Sequence, residues 1–279
     1  MINLAVIGDP IEHSLSPKIH SFVMEQLNIP YTYQAIQVKK GELEPFVERV
    51  KRENINGFNI TMPHKVDIIP YLDWIDRDAE YYHSVNTVKV DGGRLLGYNT
   101  DGGGFVRSLD DVDVAAAGKE ILFLGSGGVV NTLSQKLALE DASKIVILNK
   151  ELDMAENVCE MLNEKFDINC EFSDLEFNTI SEKIKSADII INATPLGMEG
   201  FSHDWESCEF LKHAKSDALI ADLIYNPRET KLLSAAKKLK LKTLNGLGML
   251  IYQALLSDEI YLERKFEFGQ IAQELEKIL

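Results

Sequence analysis

Positive charge is in short supply. Lys and Arg total 29 against 44 Asp and Glu, a formal net charge of −15, which argues against a nucleic-acid partner and against an anionic membrane surface. An anionic ligand must therefore be held by local groups. Long apolar runs are missing too. None approaches the length of a membrane span, and the opening "MINLAVIGDP" has neither the basic start nor the extended apolar core of a secretory signal, so the expected location is cytoplasmic. Cysteine is rare: Cys159, Cys170 and Cys208 lie outside any C-x-x-C spacing and beside no His cluster. The three read as small hydrophobes, with neither a disulfide framework nor a zinc site. Metal-ligand spacing, a Ser-His-Asp arrangement, internal repeats and low-complexity tracts are likewise absent.

What is present is a rhythm. Short apolar runs, "NLAVIG", "YTYQAIQV", "GFNIT", "EILFLG", "KIVILN", "ADIIINA" and "ALIADLIY", alternate with helix-length amphipathic stretches, which predicts parallel sheets covered by helices and an α/β fold. The first helix is expected at Ser16, an N-cap candidate followed by Pro17, with Ile19, Phe22, Val23 and Leu27 on one face. "SVNTVKVDGGRLLGYNTDGGG" reads instead as two strands joined at Asp91-Gly92-Gly93. Gly102 to Gly104 then lead into a new helix, and the polar "SLDDVDVAAAGKE" precedes a fresh β-α-β series, so a domain junction is placed there. Two domains with a cleft between them are expected, and the chain after Gly246 is helical by pattern.

The fresh series opens on "FLGSGGVVNTLSQ", where Gly125, Gly127 and Gly128 follow an apolar run. Glycine at such a turn permits a tight reversal and close approach to a pyrophosphate. The third position of G-x-G-x-x-G is, however, Val130, so the turn alone does not decide between a nucleotide site and a flexible corner. The next strand ends at Asn149, near the spacing at which the adenosine ribose is read.

Strand ends in open α/β sheets carry ligand groups. After the first come Ser14 and Ser16, which could equally be a turn serine and a cap. After the third come Thr61, Pro63 and Lys65, a lysine whose ordinary reading is a solvated charge. The hairpin adds Asn86-Thr87 and Asn99-Thr100-Asp101, where Asp101 could simply cap the following helix.

Taken in order, "GDPIEHSLSPKIH", "GFNITMPHK", "SVNTV", "GYNTDGGG", "INATPLGM", "DLIYNPRETKLL" and "GLGMLIYQA" resemble the signature blocks of the shikimate dehydrogenase family across nearly the whole chain. The resemblance implies NADPH-linked reduction of 3-dehydroshikimate to shikimate, in aromatic amino-acid (chorismate) biosynthesis. It also implies an N-terminal α/β substrate domain, residues 1–101 with 246–279, and a Rossmann-like dinucleotide-binding domain, residues 102–245, with the C-terminal helices returning to the first domain. Lys65 and Asp101 are then the catalytic pair. Ser14 and Ser16 hold the substrate carboxylate, Thr61, Asn86, Asp101 and Gln253 reach its hydroxyls, and Tyr225 closes the pocket. Thr194, Leu223 and Gly246 line the nicotinamide side through the resemblance alone. A homodimer is compatible with it.

The chain departs from the family pattern in places. His83-Ser84 replace Gly-Ala before Val85-Asn86-Thr87, and Ser21 replaces Asn after His20. The usual Asn-Arg-Thr that grips a 2′-phosphate is Asn149-Lys150-Glu151, with Met154 where a further Arg is usual, and Asn131 stands in the glycine turn where a basic residue is common. Lys lacks the planar bidentate grip of Arg, and Glu151 would repel a 2′-phosphate. NADP is expected from the family, with NAD as the alternative. Two rivals follow: a quinate/shikimate dehydrogenase preferring NAD, and a shikimate-binding paralogue with weak turnover.

Overall fold

The computed structural model describes residues 1–279. The chain divides into two compact units, Met1–Gly104 with Ile251–Leu279, and Phe105–Leu250.

The first unit is built on a mixed six-stranded sheet of order β2-β1-β3-β5-β6-β4. Strands β1 (Ile2–Gly8), β2 (Tyr31–Gln37) and β3 (Gly57–Ile60) are parallel, with β1 in the middle. The expected hairpin is β5 (Thr87–Asp91) and β6 (Arg94–Tyr98), antiparallel, with Asp91 opposite Arg94. Gly92 and Gly93 turn the corner with φ of 55° and 82°, backbone that side chains seldom adopt. A two-residue strand β4 (Trp74–Ile75) was not foreseen, being too short to show a period. Helix α2 (Leu43–Arg52) buries Leu43, Phe46, Val47 and Val50, one stripe at helical spacing, in a core with Ala5, Ile7, Phe58 and Val88. The short helix α3 (Arg77–Tyr82) is capped by Asp76, whose side chain accepts from Ala79 N at 2.8 Å.

Helix α1 (Ser16–Gln26) corrects one expectation. Its N-cap is Leu15, which makes no side-chain cap bond, and Ser14 Oγ accepts from Ser16 N at 3.3 Å. The hydroxyl that steadies the helix start is thus Ser14, because the chain enters the helix one residue earlier than the Ser-Pro signal suggested. The second glycine cluster is also placed differently: Gly102 to Gly104 lie inside α4 (Asp101–Asp110). A Cβ on Gly104 would stand 2.7 Å from the backbone N of Gln253, so glycine there serves close packing of the first turn of α4 against α9 (Gly246–Leu262).

In the second unit all six strands are parallel, in the order β12-β11-β10-β7-β8-β9. They are β7 (Glu120–Leu124), β8 (Lys144–Leu148), β9 (Asn169–Ser173), β10 (Ile189–Asn192), β11 (Leu219–Asp222) and β12 (Lys242–Leu244). Numbered within the unit this is the doubly wound order 3-2-1-4-5-6, whose switch point lies beyond the ends of β7 and β10. Alternate residues feed two cores: Ile121, Phe123, Ile145, Ile147, Ile189 and Ile191 on one face, Leu122, Leu124, Val146, Leu148, Ile190 and Ile220 on the other. Burial on both faces explains why the central strands read as unbroken apolar runs. The edge strands escaped the pattern, β9 because Asn169, Glu171 and Ser173 break its apolar character and β12 because it is only three residues long.

The cysteines differ from expectation as well. Cys159, on α6 (Leu152–Lys165), and Cys170, on β9, form a disulfide with their Cα atoms 5.1 Å apart. Asn163 makes the return from helix to strand compact, accepting from Cys170 N at 2.8 Å and donating to Cys170 O at 3.1 Å. No helix of the chain is long and apolar enough to cross a membrane.

Candidate active site

Beyond β3 the chain turns tightly. His64, 1% exposed, is tied through Nε2 to Val38 O at 2.6 Å and through its backbone N to Thr61 O at 3.1 Å. Lys65 O accepts from Val85 N at 2.8 Å. The lysine backbone is therefore fixed, and its Nζ lies 2.6 Å from Asp101 Oδ2. Side-chain exposures of 28% for Lys65 and 9% for Asp101 describe an ion pair open on the lysine side.

The alternative of Asp101 as a plain helix cap fails on geometry. Asn99 Oδ1 accepts from Asp101 N at 3.0 Å, and this leaves the Asp101 carboxylate for other partners. Its second oxygen takes Asn86 Nδ2 at 2.8 Å. Asn86 also reaches Gln253 Oε1 at 3.4 Å and Thr100 Oγ1 at 2.9 Å. So the structure brings Lys65, Asp101, Asn86 and Gln253 together. Ser14 and Ser16 adjoin each other at the start of α1. Thr61 sits at the end of β3, its backbone N on Ile7 O at 2.9 Å, and its methyl fills the space a Cβ on Gly8 would need.

Several buried polar residues behind this cluster escaped the sequence reading. Asn59 interrupts the apolar strand β3 and is 5% exposed. It accepts from Tyr33 Oη at 2.8 Å and donates to Ser257 Oγ at 3.1 Å. Burial holds the Tyr33 phenol well above its ordinary value; the Asp258 charge adds to this and a Ser16 hydrogen bond opposes it. His20 stacks on Tyr33 at 4.5 Å and bonds Asp258 at 2.7 Å. A polar residue inside a fully buried strand was the available signal for Asn59. Tyr33 and Ser257 carried none.

In the second unit, Gly125 ends β7 with φ 99°, and a Cβ there would stand 2.8 Å from Thr194 Cγ2. Gly127 is the N-cap of α5 (Gly128–Leu139), with no side-chain cap bond. Ser126 Oγ beside it is buried without a hydrogen-bond partner. An orphaned hydroxyl next to an uncapped helix N-terminus at the switch point suits the phosphates of a dinucleotide. Thr194 is held by Asn192, whose Oδ1 accepts from its N at 3.1 Å and its Oγ1 at 2.7 Å. Asn192 donates in turn to Asp222 at 2.9 Å, and Asp222 also accepts from Thr230 Oγ1 at 2.6 Å and Ile224 N at 3.1 Å. Burial raises the Asp222 carboxyl despite these bonds. A Cβ on Gly246 would collide with Leu223 O at 2.1 Å, so only glycine allows α9 to start where it does.

The residues expected on the ribose side are loosely held. Asn149 Nδ2 donates to Glu151 O at 2.9 Å, while Lys150, Glu151 and Met154 are exposed, as is Tyr225. Asn131 is engaged by Gln135 Nε2 at 3.2 Å. No group of three or more His, Cys, Asp or Glu is placed to hold a metal ion.

An α/β chain with one mixed sheet and one doubly wound parallel sheet, a Lys–Asp pair in the first unit and a glycine turn in the second, is built as a nucleotide-linked oxidoreductase. Residues 6–88 match the shikimate dehydrogenase substrate binding domain, and residues 109–247 match shikimate / quinate 5-dehydrogenase. The chain belongs to the shikimate dehydrogenase family. It is 40% identical over 263 residues to a shikimate dehydrogenase (NADP(+)) of Alkaliphilus oremlandii, covering 92% of this chain and 90% of the relative. The shikimate 5-dehydrogenase of Listeria monocytogenes in complex with shikimate and NAD is similar at TM-score 0.90 and 32% identity, over 99% of this chain and 96% of that one. The ligand-free 5-ketofructose reductase of Gluconobacter sp. strain CHM43 is similar at TM-score 0.86 and 31% identity, over 100% and 99%.

Proposed function

We propose that the chain reduces 3-dehydroshikimate to shikimate with NADPH, and that Lys65 and Asp101 carry the proton transfer. The observation that carries this reading is the Lys65 Nζ–Asp101 Oδ2 contact of 2.6 Å with Asn86 on the other carboxylate oxygen. A bound nicotinamide would supply the hydride. As the ketone oxygen gains negative charge, the Lys65 ammonium stabilises it and delivers the proton that makes the hydroxyl. Asp101 keeps the ammonium directed and orients a substrate hydroxyl, with Asn86, Gln253 and Thr61 taking the others. Ser14 and Ser16 hold the carboxylate with hydroxyls, as an acidic protein with few cations requires. Gly125, Ser126, Gly127 and Gly128 would receive the pyrophosphate, Thr194, Leu223 and Gly246 the nicotinamide end, and Asn149, Lys150 and Glu151 the ribose.

NADH is the rival cofactor. The exposed Glu151 beside Lys150 favours it electrostatically, and the Listeria monocytogenes relative was solved with NAD. Nicotinamide oxidation with 3-dehydroshikimate, run with NADPH and NADH, tests both points; quinate and 5-ketofructose serve as competing substrates in the matching directions. NADPH-linked turnover that falls by about 10³-fold or more in Lys65→Ala, with shikimate binding retained, is expected. Near-normal turnover in that variant would overturn the role of Lys65, and turnover of 5-ketofructose alone would overturn the substrate.

A further inference from the structure

We propose that Ser257 is a positioning residue for the reaction: it takes a hydroxyl hydrogen that would otherwise compete for Asn86, and so keeps the Asn86 amide turned toward Asp101. This rests on the reading of Lys65 and Asp101 given above. Thr87, Thr100 and Ser257 bring three hydroxyls around Asn86, all in residues at most 5% exposed. Ser257 Oγ lies 2.9 Å from Gln253 O, one turn back on α9, a carbonyl that can only accept, and we place the Ser257 hydrogen there. The hydrogens of Thr87 and Thr100 remain. Each has two acceptors within reach: Asn86 Oδ1 at 2.9 and 3.2 Å, and Ser257 Oγ at 2.8 and 3.2 Å.

Asn86 Oδ1 has two lone pairs. One already takes Thr100 N at 2.9 Å, leaving room for one hydroxyl. The other hydroxyl must donate to Ser257. Whichever threonine does so, the pattern closes only if Ser257 accepts. Asn59 Nδ2, 3.1 Å from Ser257 Oγ, fills its remaining site. With these places taken, Asn86 has one orientation that satisfies it before substrate binds: Oδ1 toward Thr100 N, and Nδ2 toward Asp101 Oδ1 and Thr100 Oγ1 at 2.8 and 2.9 Å, the second of these bonds being the one a substrate hydroxyl would replace. Asp101 Oδ1 thus receives a fixed donor while Oδ2 faces Lys65. Removing the Ser257 oxygen leaves one buried hydrogen with no acceptor except a crowded Asn86 Oδ1.

The test is Ser257→Ala, which removes one oxygen and suits a helix interior. The expected result is a kcat with 3-dehydroshikimate lowered about tenfold or more, the KM for the nicotinamide cofactor unchanged, and a melting temperature within a few degrees of wild type. The side-chain amide signals of Asn86, assigned by their loss in Asn86→Asp, are expected to shift or broaden in the ¹H–¹⁵N spectrum. Thr87→Val removes one of the two competing hydrogens at nearly constant volume and leaves the contacts of Asn86 Nδ2 in place, so Ser257→Ala added to it should cost little more than Thr87→Val alone. Unmoved Asn86 signals, a kcat within twofold of wild type, or independent losses that multiply in the double variant would overturn the proposal. An inactive wild type would sink the functional reading instead, and the Asn86 signals would still decide the role of Ser257.

Discussion

Each unit carries a buried polar cluster at the ends of its strands, and the two are assembled from similar parts. In the first, Asn86 ties Thr100 to Asp101; in the second, Asn192 ties Thr194 to Asp222. The difference is the cation. Asp101 faces Lys65 at 2.6 Å, whereas the partners of Asp222 are the neutral donors Asn192, Thr230 and Ile224 N. A carboxylate with a half-open ammonium beside it can take part in moving a proton. A carboxylate enclosed by neutral donors can only fix their geometry, and burial raises its affinity for a proton. On the proposed function, the same residue types do chemistry in one place and carpentry in the other.

The largest expected effect separates the two carboxylates by kinetics. Asp101→Asn keeps the shape and the contact to Asn86 but removes the charge that directs Lys65. Turnover should fall by about 10²- to 10⁴-fold, with the melting temperature moved by no more than about 3 °C. If turnover stays within threefold of wild type, Asp101 joins Asp222 as a purely structural acceptor and the contrast collapses.

Asp222→Ala should show the opposite signature. It leaves Asn192 Nδ2, Ile224 N and the Thr230 hydroxyl without their acceptor, each loss worth about 1 kcal/mol or more in a buried site. A melting temperature lower by about 5–10 °C is expected, together with a KM for the cofactor raised about tenfold, since Asn192 no longer holds Thr194. At saturating cofactor, kcat should stay within about threefold. A large loss of kcat without loss of stability would place Asp222 in the chemistry and reverse its assignment.

The first half of this contrast was legible before the fold was known, Asp222 and Asn192 were not, and the illegible part has a physical pattern. Lys65, Asp101, Asn86 and Gly125 stand at strand ends, where apolar runs break and a polar residue or glycine is visible against them. The central strands of the doubly wound sheet were equally plain, because burial on both faces leaves unbroken apolar runs. What sequence hid was partnership. Nothing local distinguishes Ser257 from any small helical residue, since its role depends on Thr100 and Asn59, which come from other elements. The Cys159–Cys170 disulfide was hidden for the same reason: the spacing is unremarkable until α6 and β9 lie side by side. The N-cap was misplaced at Ser16, which is already the first helical residue, because Ser14, two residues earlier, supplies the hydroxyl.

Asp76 gives the smallest and most finely graded check on the idea that an unpaired carboxylate is a cost. It caps α3 by accepting from Ala79 N at 2.8 Å, yet desolvation outweighs that bond and its carboxyl titrates at about 6 instead of 3.8. A group whose folded value lies above its unfolded one binds its proton more tightly in the folded chain. Its contribution is therefore present in full below about pH 4 and is lost as the pH rises through about 6. Asp76→Asn keeps a cap acceptor and carries no charge to desolvate. Relative to wild type, its melting temperature should rise by about 1–3 °C at pH 8, and the gain should vanish between pH 6 and pH 4. A difference that does not change over that range would mean the carboxylate is well solvated, and the cost of lacking a cation would then apply to Asp222 alone.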